Sequence, residues 1–493
     1  MNWCGKNRLT IRGSNRCYAN LDQGPLEMDK KNISSNSKIY RRGFLTQTAA
    51  AAATCAILAG GLNKTEAKRP AKKFDVINVG LIGAGSQGQV LLNSCLISGQ
   101  DIPGLHFKAV CDIWKFRRDQ SVRTLNAYNR VKKHDKVKEF TDYREMLAQK
   151  DQLDLDAVII ATPDWMHAEQ AIAAMNAGLH VYCEKEMSNS LELARQMVLT
   201  SQETRKLLQI GRQRRSNPRY LAAINTLVLE NKLLGRVMQG NAQWNRAVSA
   251  DIGWPARHAL SAKELVKYGY DTMRHFRNWR WFKRYSGGPV VDLGAHQIDV
   301  FNWVFGGGPK SVIASGGCDY YKNHQWYDNV MCTFEYETDE GVARAFYQVQ
   351  TTTRHGGFYE TFMGEHGSLI ISEVPRYGNR AEKEIGSPDW EKFIKPGLLN
   401  QVPRPKMLMS HSVLDARCDP SDLMYKWPLR TELGTLPHQP HLKNFFDTIR
   451  GKATLNCPGQ LAYQTAATVL AINEAVKSEK KIKFTKKDFE IKA

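Results

Sequence analysis

Three polar side chains recur at helical spacing in the stretch PVVDLGAHQIDVFNW, residues 289–303. Asp292, His296 and Asp299 stand at steps of four and three, which places them on one face of a helix. Because the ordinary pKa of histidine lies near neutrality, His296 is a candidate general base. An acid one turn earlier can orient the imidazole or hold a neighbouring hydroxyl, as we predict for Asp292. A capped helix with a core histidine is the structural alternative.

A glycine-rich turn predicts the cofactor that such a base would need. Residues 75–96, DVINVGLIGAGSQGQVLLNSCL, begin as a strand and end as an amphipathic helix, with a GxGxxG pattern between them. This arrangement lets a pyrophosphate approach the backbone at a helix N-terminus. The predicted contacts are Gly83, Gly85, Ser86, Gln87 and Gly88. The next strand ends in Asp112, which is placed to accept the ribose hydroxyls of NAD. NADP remains an alternative, since Arg117 and Arg118 could hold a 2′-phosphate.

Strands and helices continue to alternate up to residue 213, which predicts a Rossmann-type, doubly wound parallel sheet with ligands at the carboxyl ends of its strands. Residues beyond two of these ends complete the predicted nucleotide site: Thr162, Pro163, His167, Glu184 and Lys185. The alternating strands after residue 214 predict an α+β domain with a large, mostly antiparallel sheet. We therefore divide the chain into an N-terminal extension (1–73), a nucleotide-binding domain (74–213) and a substrate domain (214–493). Within the last, we expect an insertion at 373–430 and a closing helical segment at 441–478.

Several segments resemble the Gfo/Idh/MocA family of sugar and cyclitol oxidoreductases. They are ATPDWMHAEQAIAAMNAGLHVYCEKE (161–186), DLGAHQID (292–299) and the closing segment 441–475, and the likeness runs from about 76 to 371 and resumes near 438. The resemblance implies hydride transfer between NAD(P) and a sugar carbinol, with Lys185, Asp292 and His296 as the catalytic set. Glu186 stands where the family usually has proline, so Lys185 either reaches its place through a trans peptide or carries a cis bond. Glu186 could also attract the lysine charge.

Other side chains are candidates for contacting a carbohydrate. Aromatic rings stack on sugar faces, and polar groups after the sixth strand lie near the predicted cleft. The candidates are Arg212, Gln213, Trp244, Trp281, Asp299 and Tyr327. We expect Asp299 to be primarily structural. No metal is indicated, because prolines flank the histidines of the one H-x-x-H pattern, at 438 and 441.

The first 73 residues carry half of the formal charge of +20 and contain a predicted export signal. Arg41 and Arg42 precede an Ala-rich apolar run, 49–62, that is shorter than the roughly 20 residues needed to span a bilayer. This twin-arginine layout predicts passage of a folded protein through the twin-arginine machinery to the periplasm, without a stable membrane anchor. A protein exported in this way must hold its nucleotide tightly.

The distribution of charge argues against nucleic-acid binding and leaves three candidate functions. The remaining positive charge is scattered and no nucleic-acid-binding motif is present, so we expect no nucleic-acid partner. We expect a homo-oligomer that acts on a small carbohydrate. The preferred function is an NAD(P)-dependent oxidoreductase. A glycoside hydrolase that oxidises, eliminates and re-reduces with bound NAD is the first alternative, and a non-catalytic sugar-binding protein is the second.

Overall fold

The computed structural model describes residues 75–97, 99–384, 386–400 and 425–491. Its first half alternates strands and helices: β1 (Ile77–Ile82), α1 (Ser86–Leu96), β2 (Leu105–Cys111), α2 (Lys115–Val131), β3 (Lys138–Phe140), α3 (Tyr143–Ala148), β4 (Ala157–Ile160), α4 (Asp164–Asn176), β5 (His180–Cys183), α5 (Leu191–Thr204) and β6 (Leu208–Ile210). Among the described residues these six strands form one parallel sheet in the order β3-β2-β1-β4-β5-β6. The predicted doubly wound sheet is confirmed, although the prediction missed the short strand β3.

The second half contains a large sheet and the helices that cover it. Its elements are α6 (Pro218–Tyr220), which continues as a π-helical segment (Leu221–Glu230), β7 (Val237–Asn245), α7 (Ala262–Lys267), α8 (Met273–Arg277), α9 (Pro289–Val304), β8 (Ser311–Gly317), β9 (Asn329–Thr338), β10 (Gly341–Gln350), β11 (Phe358–Gly364), β12 (Gly367–Ile371), β13 (Asn379–Lys383), β14 (Tyr425–Pro428), α10 (Gln439–Ile449), α11 (Gly459–Ser478) and β15 (Ile482–Lys483). Single 3₁₀ turns lie at Gln213–Ser216, Ala256–His258, Trp279–Trp281, Glu391–Phe393 and Lys486–Asp488.

Nine of the described strands form this second sheet, in the order β14-β13-β12-β11-β7-β10-β9-β8-β15. All neighbouring pairs are antiparallel except β7 and β10, so the predicted mostly antiparallel sheet is confirmed. Two strands, β13 and β14, come from the segment 373–430 that the sequence marks as an insertion. They extend one edge of the sheet, while residues 401–424 lie outside the described part of the chain.

The long helix α9 carries the D-x-x-x-H-x-x-D pattern into the centre of the second half. It begins after Gly288, whose φ of +80° sets the turn, and Pro289 occupies its first position, where no backbone N–H is needed. Every residue of α9 except Trp303 is buried, because the helix packs against β7, β10 and β11 on one side and α11 on the other. The polar side chains of α9 are therefore enclosed, and each needs a partner or a ligand.

The segment between β7 and α9 returns to the parallel sheet and forms an aromatic cover over its strand ends. Trp114, which follows β2, donates its indole N–H to the carbonyl of His258 at 2.5 Å and packs in one apolar cluster with Trp279. Trp165, which follows β4, makes an edge-to-face contact with Tyr270 at 5.6 Å. We call residues 246–288 the aromatic cover.

The predicted export signal falls on residues outside the described part of the chain. Within the described ranges, no helix is long and apolar enough to cross a membrane. The described cysteines are all free thiols, and all but Cys318 are buried like small apolar side chains.

Candidate active site

The glycine-rich turn connects β1 to α1 with a geometry that only glycine permits at its first position. Gly83 has a φ of +90°, and a Cβ there would lie 2.7 Å from the backbone of Ala161. A Cβ at Gly88 would lie 2.1 Å from the carbonyl oxygen of Gly83, so helix and strand approach more closely than a side chain allows. A Cβ at Gly85 would meet no atom within 4 Å. Gly85 also caps α1 without any side-chain hydrogen bond to the helix.

Asp112 fastens this turn to the end of β2. Its two carboxylate oxygens accept the backbone N–H groups of Ala84 and Trp114, each at 2.7 Å. Burial raises the pKa of Asp112, and the two hydrogen bonds oppose this effect. The ribose hydroxyls predicted to bind Asp112 must therefore donate to carboxylate oxygens that already accept backbone N–H groups. Nearby, Nε of Arg117 is buried without a hydrogen-bond partner among the described residues.

Glu184 follows β5 as a buried carboxyl group with one unsatisfied oxygen. Its Oε2 accepts the Lys185 N–H at 3.3 Å, whereas Oε1 is buried without a partner in the described structure. Burial raises the pKa of Glu184, against the attraction of His438 and Lys185. The Gln87 amide contacts His438 Nε2 at 3.1 Å, so the closing segment reaches the glycine-rich turn.

Lys185, from the first half of the chain, forms an ion pair with Asp292, from the second half. Both residues belong to the catalytic set that the family resemblance implies. Lys185 Nζ lies 2.6 Å from Asp292 Oδ1 and also contacts the Asp292 carbonyl oxygen. Arg280 Nε donates to Asp292 Oδ2 at 3.1 Å. Against the cost of burial, these two cations and Arg246 hold the pKa of Asp292 well below its usual range. Asp292 is thus an ionised anchor for Lys185, with both oxygens engaged.

His296 lies one helical turn after Asp292 but makes no hydrogen bond to it. Its Nδ1 is buried without a partner among the described residues, and its ring centroid is 5.5 Å from that of Trp244. Burial first, and then the charges of Lys185, Arg214 and Arg212, lower the pKa of His296 well below its usual value. The predicted orientation of the imidazole by Asp292 is therefore wrong in this structure, because Lys185 and Arg280 already occupy the carboxylate. The imidazole is neutral at neutral pH and able to accept a proton.

Asp164, the first residue of α4, is an ionisable group near this centre that follows the same predicted strand end as Thr162, but the sequence assigned it no role. Its carboxyl is buried and accepts the Ser286 hydroxyl at 3.0 Å. Burial and the negative charge of Asp292 raise the pKa of Asp164 to about 7, against Lys185 and Arg280. Only its place beside the predicted nucleotide residues Thr162 and Pro163 could have suggested it.

The arginines after β6 belong to buried ion pairs rather than to a substrate surface. Arg212 donates to both oxygens of Glu186 at 3.0 and 2.8 Å and to the Ala295 carbonyl at 2.8 Å. Asp299 accepts from Arg215 at 2.8 Å and from the Thr465 hydroxyl at 3.0 Å. These placements argue against substrate contact by Arg212 or Asp299, while the structural role expected for Asp299 agrees with them.

Glu186 is therefore not a partner of Lys185, contrary to our expectation. Its carboxylate is buried and directed toward Arg212. Of the two routes considered for placing the lysine, the structure has the cis Lys185–Glu186 peptide.

His167 also differs from its predicted role in binding the nucleotide. It is buried, and its two ring nitrogens face the carbonyl oxygens of Glu186 and Thr162, each at 2.6 Å. Burial lowers its pKa to about 4. The first turn of α4 directs the ring inward, so His167 lies between the loop after β4 and the loop after β5. As a neutral imidazole it donates to one of the two carbonyl oxygens. The Thr162 hydroxyl donates to Gln170 at 2.6 Å, and Pro163 caps α4.

Of the remaining substrate candidates, Trp244 lies beside His296, whereas the contacts of the other three are with other neighbours. Trp244 stacks on Phe358 at 4.5 Å next to His296. Trp281 stacks on His324 at 4.1 Å at the margin of the aromatic cover. Tyr327 packs against the core of the second half. Gln213 is buried, donates to Glu373 at 3.1 Å and has an unpartnered carbonyl oxygen.

The residues at the strand ends fit NAD(P). Space in front of Gly85, an uncapped helix N-terminus and a buried, unpartnered carboxyl oxygen are the features that a pyrophosphate and ribose hydroxyls require. The turn at 83–88 would hold the pyrophosphate, and Asp112 and Glu184 the two riboses.

Comparisons with known proteins agree with this geometry. A family profile described as an oxidoreductase family with an NAD-binding Rossmann fold matches residues 77–212, and the GFO/IDH/MocA C-terminal domain matches residues 227–370. The chain is 28% identical over 219 residues to a glycosyl hydrolase family 109 protein of Shewanella baltica, which covers 42% of this chain and 46% of that protein. It is 28% identical over 222 residues to the 1,5-anhydro-D-fructose reductase of Ensifer adhaerens, covering 45% and 58%.

Among solved structures, the WlbA dehydrogenase of Chromobacterium violaceum, in complex with NADH and UDP-GlcNAcA, superimposes with a TM-score of 0.60. That match covers 85% of this chain and 99% of the other at 19% identity, and it shows the shared fold. The chain spans about half the length of the curated relatives it matches. The two matched profiles together span more than half of the sequence, and their order agrees with the observed domains. The chain belongs to the Gfo/Idh/MocA family, and its first half is an NAD(P)-binding Rossmann domain.

Proposed function

We propose that this protein is an NAD(P)-dependent oxidoreductase that removes hydride from a carbinol of a sugar, cyclitol or glycoside. One observation carries this proposal. Lys185, held in place by Asp292, acts on the neutral imidazole of His296, and the glycine-rich turn of the same site fits a dinucleotide. A carbinol that loses hydride needs a base for its hydroxyl proton and a positive group for the developing oxyanion.

Each of these residues has a separate role in the proposed step. NAD(P), when bound, accepts the hydride. His296 takes the hydroxyl proton, and we assign this proton to Nε2 because Nδ1 is enclosed. The Lys185 ammonium stabilises the oxygen that loses the proton. Asp292 fixes the position of Lys185, and Arg280 keeps Asp292 in place from the other side.

The relatives and the aromatic cover support the finer parts of the proposal. One relative is named a reductase of an anhydro sugar, and a structural neighbour was solved with NADH and UDP-GlcNAcA. These names support a carbohydrate substrate. Packing of the aromatic cover onto Trp114 and Trp165 favours a tightly held nucleotide, which export of a folded protein would require.

A second candidate is a glycosidase that oxidises its sugar transiently and then re-reduces it. Its support is the relative named a glycosyl hydrolase family 109 protein. The same Lys185 and His296 would serve, since that reaction also begins by removing hydride and a proton. The two candidates differ in whether reduced nucleotide accumulates.

Proton NMR in deuterated water on the purified protein with its retained nucleotide separates these functions. With a pool of glycans and glycosides, a ketone formed in proportion to reduced nucleotide supports the oxidoreductase. Cleavage of a glycosidic bond, with deuterium at a ring carbon and no net reduced nucleotide, supports the glycosidase. Lys185→Ala and His296→Ala should each lower turnover at least a hundredfold, whereas the exposed His355→Ala should not. Normal turnover in the first two variants would refute the assigned roles.

A further inference from the structure

The surroundings of Asp292 hold more positive than negative charge. Lys185, Arg280 and Arg246 all act on this single carboxylate, and only the first two are ion-paired with it. Asp164 is a second acid acted on by these charges, and burial and Asp292 raise its pKa to about 7, which reduces its negative charge at neutral pH. The site thus retains a positive excess after the internal pairs are counted.

Of the cations near Asp292, Arg246 is the one best placed to bind a further anion. It follows β7 and part of its side chain is exposed, although burial lowers the pKa of its guanidinium. Its guanidinium carbon lies 5.4 Å from the centroid of Trp244. No described carboxylate lies within ion-pair distance of its guanidinium. By contrast, Arg212, Arg214 and Arg215 are buried and paired with acids.

Other unsatisfied polar groups gather around the same indole. The Arg214 guanidinium carbon lies 5.6 Å from the Trp244 ring, and its Nη2 is buried without a described partner. Nδ1 of His296, on the neighbouring ring, also has no partner. The Tyr347 hydroxyl is also buried without a described partner, and the charges of Arg214 and Arg246 act on it. Trp244 is therefore an apolar ring with buried polar groups near it and, at its edge, an arginine that has no ion pair among the described residues.

We propose that the substrate carries an anionic substituent, a carboxylate or a sulfate ester on the sugar, which Arg246 binds at the edge of Trp244. The proposal rests on the function proposed above and specifies the substrate class of that site. A guanidinium presents two parallel N–H groups to a carboxylate or sulfate, and the indole accepts the apolar face of the ring. A neutral sugar would displace water from Arg246 without compensating its charge.

Matched pairs of methyl glycosides test this proposal. Each pair consists of a hexoside and either its uronate or its 6-sulfate, in gluco, galacto and manno configurations. Binding to the nucleotide-loaded protein is measured by calorimetry, and reduction of the nucleotide is recorded in the same samples. We expect at least one anionic member to bind tenfold or more tightly than its neutral partner, a difference of about 1.4 kcal/mol. Arg246→Gln should remove most of that preference by weakening the binding of the anionic member more than that of the neutral member.

Arg344→Gln is the control, since it removes the same charge from an exposed position on β10. It should preserve the preference. If no anionic member binds, if the neutral members bind as tightly, or if Arg246→Gln weakens both members equally, the anionic substrate is refuted. Reduction of nucleotide by neutral members would still leave the proposed oxidoreductase standing. Binding through Arg246 without any hydride transfer would support the anion site and refute the oxidoreductase. Preference for uronate over sulfate, or the reverse, identifies the anion.

Discussion

Replacing Asp292 with asparagine removes the carboxylate that pairs with Lys185 and Arg280 in the candidate active site. In the native protein it accepts from Lys185 at 2.6 Å and from Arg280 at 3.1 Å, and its side chain is 9% exposed. A hydrogen bond to a charged group contributes about 1.5–3 kcal/mol. The Arg280 side chain is 43% exposed, so its share is reduced by solvent. We therefore expect Asp292→Asn to lower the free energy of unfolding by about 3 kcal/mol.

The pH dependence of this loss follows from the pKa of Asp292. The pKa is lower in the folded than in the unfolded state, so the stabilising effect is complete above the unfolded value of 3.8. It disappears only as the pH falls below 3.8 through the folded value. Because Asp292 also helps to raise the pKa of Asp164 to about 7, the comparison is made in an Asp164→Asn background. There the difference between the proteins with and without the Asp292→Asn change should stay constant from about pH 8 to about pH 5.

Urea unfolding followed by tryptophan fluorescence, at several pH values and fixed nucleotide, measures this difference. Asp119→Asn is the matched control, because its ion pair with Lys115 is on the surface and should contribute less than about 1 kcal/mol. If Asp292→Asn costs no more than Asp119→Asn, the carboxylate does not anchor Lys185. A difference that shrinks between pH 7 and pH 5 would show that Asp292 is not held ionised.

Three further perturbations test neighbouring parts of the site. The pKa of His296 lies well below its usual value, so kcat/KM for carbinol oxidation should stay level from about pH 8 to pH 6.5. This profile is measured in the Asp164→Asn variant, which lacks the carboxyl whose pKa is raised to about 7. Glu186→Gln removes the nearer of the two described carboxylates that face the buried Arg212, leaving only Asp299 at 3.9 Å, and should cost about 3 kcal/mol in urea unfolding. Trp114→Ala opens the aromatic cover and should speed nucleotide loss on dialysis at least tenfold.

Each of these has its own control and contradicting result. A fall in kcat/KM centred near pH 6.5 would mean that His296 titrates as an ordinary histidine. Glu139→Gln breaks a half-exposed ion pair with Arg118 and should lower the free energy of unfolding by less than about 1 kcal/mol. If Glu186→Gln costs no more than this control, the buried pair of Glu186 and Arg212 does not stabilise the fold. Trp254→Ala changes an exposed tryptophan of the same cover and should leave nucleotide retention as it was. Unchanged retention in Trp114→Ala would refute the covering function.

The sequence predicts the strand ends and the glycine-rich turn because both depend on local patterns. Apolar runs of strand length, the GxGxxG spacing and the helical steps in α9 are properties of neighbouring residues. The parallel order of the sheet also follows from the alternation of strands and helices. These signals place Lys185 near a nucleotide before any tertiary contact is known, whereas the place of Asp292 beside it was implied by the family resemblance.

The partners of those residues are not local, and there the predictions fail. Arg280 and Arg246 reach Asp292 through the aromatic cover and β7, and no spacing rule links them to it. Arg212 was chosen for substrate because it follows a strand end, yet the side chain turns inward to a carboxylate that the family usually lacks, Glu186. Which side chain at a strand end faces the cleft is decided by packing across the two halves.

Transfer of label from substrate to nucleotide tests the central claim most directly. The nucleotide-loaded protein is mixed with sugars and glycosides that carry deuterium on their carbinol carbons, and the nicotinamide is then isolated for mass spectrometry. We predict that deuterium appears on the nicotinamide ring of the native protein and that His296→Ala slows its appearance at least a hundredfold. Turnover of substrate with an unlabelled nicotinamide, or labelling at the native rate in His296→Ala, would contradict the proposed reaction.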